Sequence, residues 1–148
     1  MGNISVEIFN TDLLTEVEPT FNISLDEISK GFLKLFSEYP VEDVNIVFVK
    51  DEYIQDLNLQ YRDIDAPTDV LSFNIDEEGK NGEIYISPEY VYRSFQGESF
   101  EEEILRLIVH GTLHILGYDH TESMNDSPNE EMFLLQEELL LKYKKICC

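Results

Sequence analysis

Residues 99–120 read SFEEEILRLIVHGTLHILGYDH, and the fold of the chain is decided by how this stretch is read. Ser99 and Glu102 stand three apart, a capping pair that opens a helix. The apolar residues behind them carry the helix to about residue 116, where Gly117 suits a left-handed end because it has no Cβ to clash. All three histidines of the protein fall inside it: His110, His114 and His120. Residues four apart share a helix face, so His110 and His114 can direct two imidazoles at one ion. A sharp turn at Gly117 brings His120 back towards them. Three neutral imidazoles leave a fourth coordination position open, as in catalytic rather than structural zinc sites. Zinc (Zn2+, one per chain) is the first choice for such donors, with nickel, copper and iron as the other candidates. Arg106, one turn before His110, reads as a surface partner of an acid one turn away.

Working outward, residues 128–145 form a second long helix with a strong start, Ser127–Pro128–Asn129–Glu130. Upstream, residues 3–9 alternate polar and apolar side chains and read as a strand. Ser24 and Glu27 form a capping box before the helical face of Ile28, Phe32, Leu35 and Phe36, which stops near Pro40. Residues 43–50 (DVNIVFVK) are a β-branched second strand, and strand–helix–strand order predicts a parallel crossover. A helix over residues 51–61 and a turn containing Pro67 precede a third strand at 70–75. Residues 77–81 predict a hairpin into a fourth strand at 83–87, and Pro88 opens a short helix to about residue 95. The expected fold is α+β, with a single mixed four-stranded sheet and four to five helices in one domain spanning 1–148.

The 148 residues are 43% hydrophobic and 11% aromatic, which excludes collagen-like, low-complexity and disordered chains. No apolar run approaches the ~20 residues of a membrane span, and the first ten residues lack the pattern of a signal peptide. No membrane partner and a cytoplasmic location are therefore expected. Thirty-one acids against ten bases give a formal net charge of -21. A broad basic face for polyanions is excluded, so any nucleic-acid activity must rest on a locally positive site. The only cysteines, Cys147 and Cys148, cannot staple a loop and are expected to be tail thiols without a structural role.

The histidine spacing is similar to the metzincin zinc-peptidase signature H-E-x-x-H-x-x-G-x-x-H, but Gly111 stands where that motif has its general-base glutamate. A glycine cannot do that work. The stretch 110–120 more closely resembles the signature of the YbeY family, the bacterial rRNA maturation factors regarded as single-strand-specific, metal-dependent endoribonucleases. Residues 57–73 (LNLQYRDIDAPTDVLSF) resemble that family's arginine followed by P-T-D-V-L-S-F. Residues 82–87 (GEIYIS) resemble its strand G-D-I-x-I-S, with Glu83 for the commoner Asp, and residues 131–140 (EMFLLQEELL) resemble its C-terminal helix. The match covers most of the chain from residue 50 onward; the first third agrees only in pattern.

The resemblance implies a zincin-like fold with the first two histidines on one helix. It also implies His110, His114 and His120 as metal ligands, and Arg62 as the family's functionally required arginine. The implied activity is 3′-end maturation of small-subunit (16S) rRNA together with ribosome quality control, which makes single-stranded RNA, ribosomal RNA and the ribosome or its proteins the implied partners. From the residues alone, Arg62 either binds a phosphate or pairs with Asp63 or Asp65; the resemblance favours the phosphate. Ser72 and Thr68 can contact phosphate or satisfy backbone groups, and Asp119 can cap the helix or orient an imidazole, so no general base or acid is named. Two other classes compete: a non-catalytic ribosome-assembly partner with a structural zinc, and a zinc-dependent peptidase-like hydrolase.

Overall fold

The computed structural model describes residues 4–94, 99–118 and 127–147. Its elements run β1 (Ser5–Phe9), α1 (Asp12–Val17), α2 (Leu25–Leu35), β2 (Asp43–Phe48), α3 (Asp51–Arg62), β3 (Val70–Asn74), β4 (Asn81–Ile86), α4 (Pro88–Ser94), α5 (Phe100–Ile115) and α6 (Ser127–Cys147). The strands form one mixed sheet in the order β1-β2-β4-β3. β1, β2 and β4 are parallel, and β3 lies antiparallel to β4 at an edge. The short connection between β3 and β4, residues 75–80, returns the chain antiparallel, whereas β1 and β2 are joined through helices and run parallel. The α+β class and the single mixed sheet agree with the sequence pattern.

Alternation along the strands sorts the side chains onto two faces. Val44, Ile46 and Phe48 of β2 and Ile84 and Ile86 of β4 are all but fully buried on one face, beneath the residues of α2 and α5. The other face meets α3, where Ile54 packs with Val49 and Leu71 in a smaller cluster. The capping box of α2 is present: Ser24 Oγ accepts from the Glu27 N–H at 3.0 Å, and Glu27 Oε1 accepts from the Ser24 N–H at 2.9 Å. Among the described residues no helix is long and apolar enough to cross a membrane.

Two expectations need correction. The described residues contain six helices rather than four or five, the additional one being α1. Its signal is faint in sequence, because it has six residues, one buried side chain (Leu14) and a Thr11 cap that makes no side-chain hydrogen bond. Its direction is set instead by Asn10, held at φ 65° while its Nδ2 donates to the Phe48 carbonyl at 3.0 Å. The second correction concerns Cys147, which is buried rather than a tail thiol without a role. Helix α6 runs to Cys147, so the stripe Met132, Leu139, Leu140, Tyr143 and Cys147 stays in the core to its end. The Cys147 Sγ lies 3.6 Å from the Glu27 carbonyl, and the Tyr143 hydroxyl donates to the Ile28 carbonyl at 2.8 Å. Gly31 permits this approach: a Cβ there would sit 2.8 Å from Tyr143 Cε1 and 3.2 Å from Cys147 Sγ. Cys148 lies outside the described residues.

With Cys148 replaced by serine, the Cys147 thiol is expected to react slowly with a thiol reagent in the native protein and rapidly in denaturant. Equal rates in both would contradict its burial. Tyr143→Phe is expected to cost about 1 kcal/mol in urea unfolding through the lost hydrogen bond; an unchanged midpoint would contradict the contact.

Candidate active site

Helix α5 presents its histidines through the way it sits on the sheet. Ser72 pairs with Ile84 and Asn74 with Gly82 across the β3–β4 ladder. A Cβ on Gly111 would lie 2.8 Å from both Ser72 Oγ and Ile84 Cγ2, and one on Gly82 would lie 2.5 Å from Ile115 Cδ1. Ser72 Oγ donates to the Gly111 carbonyl at 3.2 Å, and Asn74 Nδ2 donates to the Ile115 carbonyl at 2.8 Å. Four helical residues rise about 6 Å and two strand residues about 6.8 Å, so the two contacts keep step. Gly111 and Ile115 therefore form the seating face. His110 and His114, each one residue earlier, are rotated roughly 100° from it.

The helix closes just past His114 with a Schellman turn. The Tyr118 N–H bonds the Leu113 carbonyl at 2.9 Å, and the Gly117 N–H bonds the His114 carbonyl at 3.0 Å. Gly117 has φ 109°, the left-handed conformation expected of it. His110 and His114 are half-buried, with ring centroids 4.6 Å apart and planes inclined at 72°. His120 and Asp119 lie outside the described residues.

Arg62 reaches the same place from the other side of β3. Helix α3 ends at Arg62 because Asp63 takes the left-handed conformation, φ 60°, and its N–H returns to the Asn58 and Leu59 carbonyls. Buried Asn58 secures the following turn by donating from Nδ2 to the Ala66 carbonyl at 2.9 Å. Asp65 accepts from Gln55 Nε2 at 2.9 Å, and among the described residues no carboxylate forms an ion pair with Arg62. The alternative of a salt bridge to Asp63 or Asp65 is not what the structure contains. Arg62, Thr68, Asp69, Val70, Leu71, Ser72, His110 and His114 line one open cavity of about 380 Å³ beside the edge strand. Three of the four candidate residues thus border a single cavity. Ser72 satisfies a helix carbonyl, as above, and Thr68 Oγ1 donates to Asp69 Oδ1 at 3.3 Å.

Behind His110 stands a polar network between α5 and α6. His110 Nδ1 lies 2.8 Å from Gln136 Oε1, and Gln136 Nε2 donates to Glu137 Oε2 at 3.1 Å. Arg106 grips both Glu137 oxygens, from Nε at 2.9 Å and Nη2 at 3.2 Å. It also pairs with Glu102 at 3.1 Å and with buried Glu103. Lys144 completes the set on Glu102 at 2.8 Å. Burial pushes the Glu137 carboxyl up, but hydrogen bonds from Arg106 and Gln136 outweigh it and hold the group below the ordinary glutamate value. The Lys144 hydrogen bond chiefly lowers Glu102 as well. Arg106 has its acid partners one turn away, as the sequence suggests, and a third across the helix interface.

The family model described as Endoribonuclease YbeY matches residues 8–144. The chain belongs to the YbeY family. An endoribonuclease YbeY of Treponema denticola is 47% identical over 117 residues, 70% of this chain and 72% of that protein. One from Halalkalibacterium halodurans is 36% identical, covering 95% of this chain and 96% of its own. The solution structure of TM1509 from Thermotoga maritima superposes with a TM-score of 0.59 at 32% identity, covering 93% of this chain and 88% of that one.

For a YbeY chain, the glycine in place of the peptidase glutamate has a steric cause. Residue 111 faces Ser72 and Ile84 and has no room for a side chain. Glu83 is on the opposite sheet face, accepting from the Tyr85 hydroxyl at 2.9 Å, so its exchange for Asp does not touch the cavity. Two site features escape the sequence argument. Asp69 lines the cavity from the end of the turn before β3, where its Oδ1 accepts from the Val70 N–H at 2.7 Å. Gln136 is a polar interruption in the apolar stripe of α6, which is the signal that could have found it.

Gly111→Glu is expected to destabilise the fold by about 1–3 kcal/mol through overpacking, and to gain no peptide hydrolysis. A wild-type urea midpoint for that variant would contradict the seating of α5. Arg106→Met removes the guanidinium that pairs with Glu137 and buried Glu103, and a loss of about 3 kcal/mol is expected at neutral pH. Glu137 and Glu102 have lowered folded-state values, so their stabilisation is present above the ordinary glutamate pKa and lost as pH falls through the folded ones. The Arg106→Met deficit should therefore shrink on acidification; a pH-independent deficit would contradict this pairing.

Proposed function

We propose that this protein is a single-strand-specific, zinc-dependent endoribonuclease, with His110, His114 and His120 as metal ligands and Arg62 as the phosphate-binding residue. The observation that carries the proposal is the convergence of Arg62, His110 and His114 on one cavity beside the edge strand. Membership of the YbeY family and relatives bearing the name Endoribonuclease YbeY support RNA as the substrate. The resemblance supports a role in 3′-end maturation of 16S rRNA and ribosome quality control in the cytoplasm, with the ribosome or its proteins as partners.

Among the described residues no group of three metal ligands occurs, and His110 and His114 supply two donors of a kind that suits zinc. Two imidazoles share a helix face with their rings 4.6 Å apart, and the acceptor at His110 Nδ1 suits a neutral ring that ligates through Nε2. When bound, the cation would lower the pKa of a water towards neutrality and offset charge on the phosphoryl oxygens.

The protein's own groups supply positioning and counter-charge. Arg62 offers planar, paired N–H donors to the non-bridging phosphate oxygens. Its place at the end of α3, with the 63–66 turn secured by Asn58, limits where that phosphate sits. Asp69 lines the same cavity, its Oδ1 held by the Val70 N–H at 2.7 Å and the Thr68 hydroxyl at 3.3 Å. The net charge of -21 gives an RNA little reason to bind elsewhere on the surface, so these local cations carry the recognition.

Cleavage of a single-stranded RNA by purified protein, followed with and without chelator, tests the proposal. His114→Ala is expected to lose zinc and cleavage together. Arg62→Glu is expected to keep zinc and lose at least about 100-fold in kcat/KM. Zinc affinity should weaken as pH falls through the ordinary histidine value of ~6.5, because the ligands must be neutral. Wild-type cleavage by both variants, or cleavage unaffected by chelator, would contradict the assignment.

A further inference from the structure

We infer that Gln136 is a positioning residue, whose side-chain carbonyl fixes His110 in the tautomer that carries its proton on Nδ1 and its lone pair on Nε2. The inference deepens the metal-site proposal and rests on it only for the consequence, not for the contact. His110 Nδ1 and Gln136 Oε1 are 2.8 Å apart. That distance alone does not say which partner donates, since an amide turned over would present its NH₂ and demand the other tautomer.

The neighbours of Gln136 decide it. Its other amide atom faces Glu137 Oε2 at 3.1 Å, and an ionised carboxylate can only accept. Glu137 is kept in that state by the two-point grip of Arg106, which is itself anchored on Glu102 and Glu103. The NH₂ group of Gln136 must therefore point to Glu137 and its carbonyl oxygen to His110. A neutral imidazole facing that oxygen must donate from Nδ1, which leaves Nε2 as the basic nitrogen. Gln136 is only 8% exposed on an otherwise apolar stripe, so water cannot readily replace it as acceptor. Helix α6 thus sets the proton position on a ring belonging to α5.

The test is long-range proton–nitrogen NMR of His110 in the metal-free protein, well above the ordinary histidine pKa of ~6.5, joined to zinc affinity by chelator competition. Wild-type protein should show hydrogen on Nδ1. Gln136→Leu, which removes the acceptor, should shift His110 towards the other tautomer or a mixture and weaken zinc binding by about 10- to 100-fold. Hydrogen on Nε2 in the wild-type protein would overturn the inference, and this result needs no variant to fold. So would a Gln136→Leu protein with unchanged tautomer and affinity. A tautomer that depends on Gln136 in a protein that binds no zinc would uphold the contact and remove the metal proposal instead.

Discussion

The close approach of α5 to the β3–β4 hairpin is the constraint from which the rest of the site follows. Gly111 rests on Ser72 and Ile84, Ile115 rests on Gly82, and side chains of β3 hydrogen-bond the carbonyls of residues 111 and 115. The helical and extended rises match over this interval, so the helix cannot slide without breaking both contacts. Once it is fixed, His110 and His114 are turned off the seating face to the cavity at the edge strand. The same contact denies residue 111 a side chain, which separates this YbeY chain from peptidases of similar histidine spacing.

A second layer lies between α5 and α6. The apolar stripe of α6 buries Met132, Leu139, Leu140, Tyr143 and Cys147, and within that stripe Gln136 meets His110. The ion pairs around Arg106 contribute modest net stability compared with apolar residues of the same size, since their desolvation offsets much of the attraction. Their value is orientation: each link constrains the next, from Lys144 and Glu102 through Arg106 and Glu137 to the amide of Gln136. The β3–β4 side of the helix is thus held by packing and two side-chain hydrogen bonds, and its α6 side by the Arg106 network.

Much of this was legible in the sequence because its physical signals are local. Ser24 with Glu27 and Ser99 before Glu102 mark helix starts, Gly117 marks an end, and the alternation in residues 43–48 marks a buried strand. His110 and His114 announce themselves by a spacing of four on one helix. What was not legible depends on partners distant in the chain. Helix α1 is directed by an Asn10–Phe48 contact spanning 38 residues. The burial of Cys147 follows from a helix packing 120 residues away in sequence, against Glu27 and Gly31. The pairing of Gln136 with His110 has no local signature beyond one polar residue in an apolar row, and Arg62 is brought to the histidines only by tertiary structure.

The central claim is that imidazoles from this region, and no thiolate, hold a catalytic ion with one position left to solvent. X-ray absorption spectroscopy of the zinc-reconstituted protein addresses it most directly, because imidazole scattering, sulfur and water oxygen are distinguishable at the metal. The account predicts three imidazole nitrogens and one light oxygen ligand, with no sulfur. A shell containing sulfur from the C-terminal cysteines, or four protein ligands closing the ion off, would contradict it.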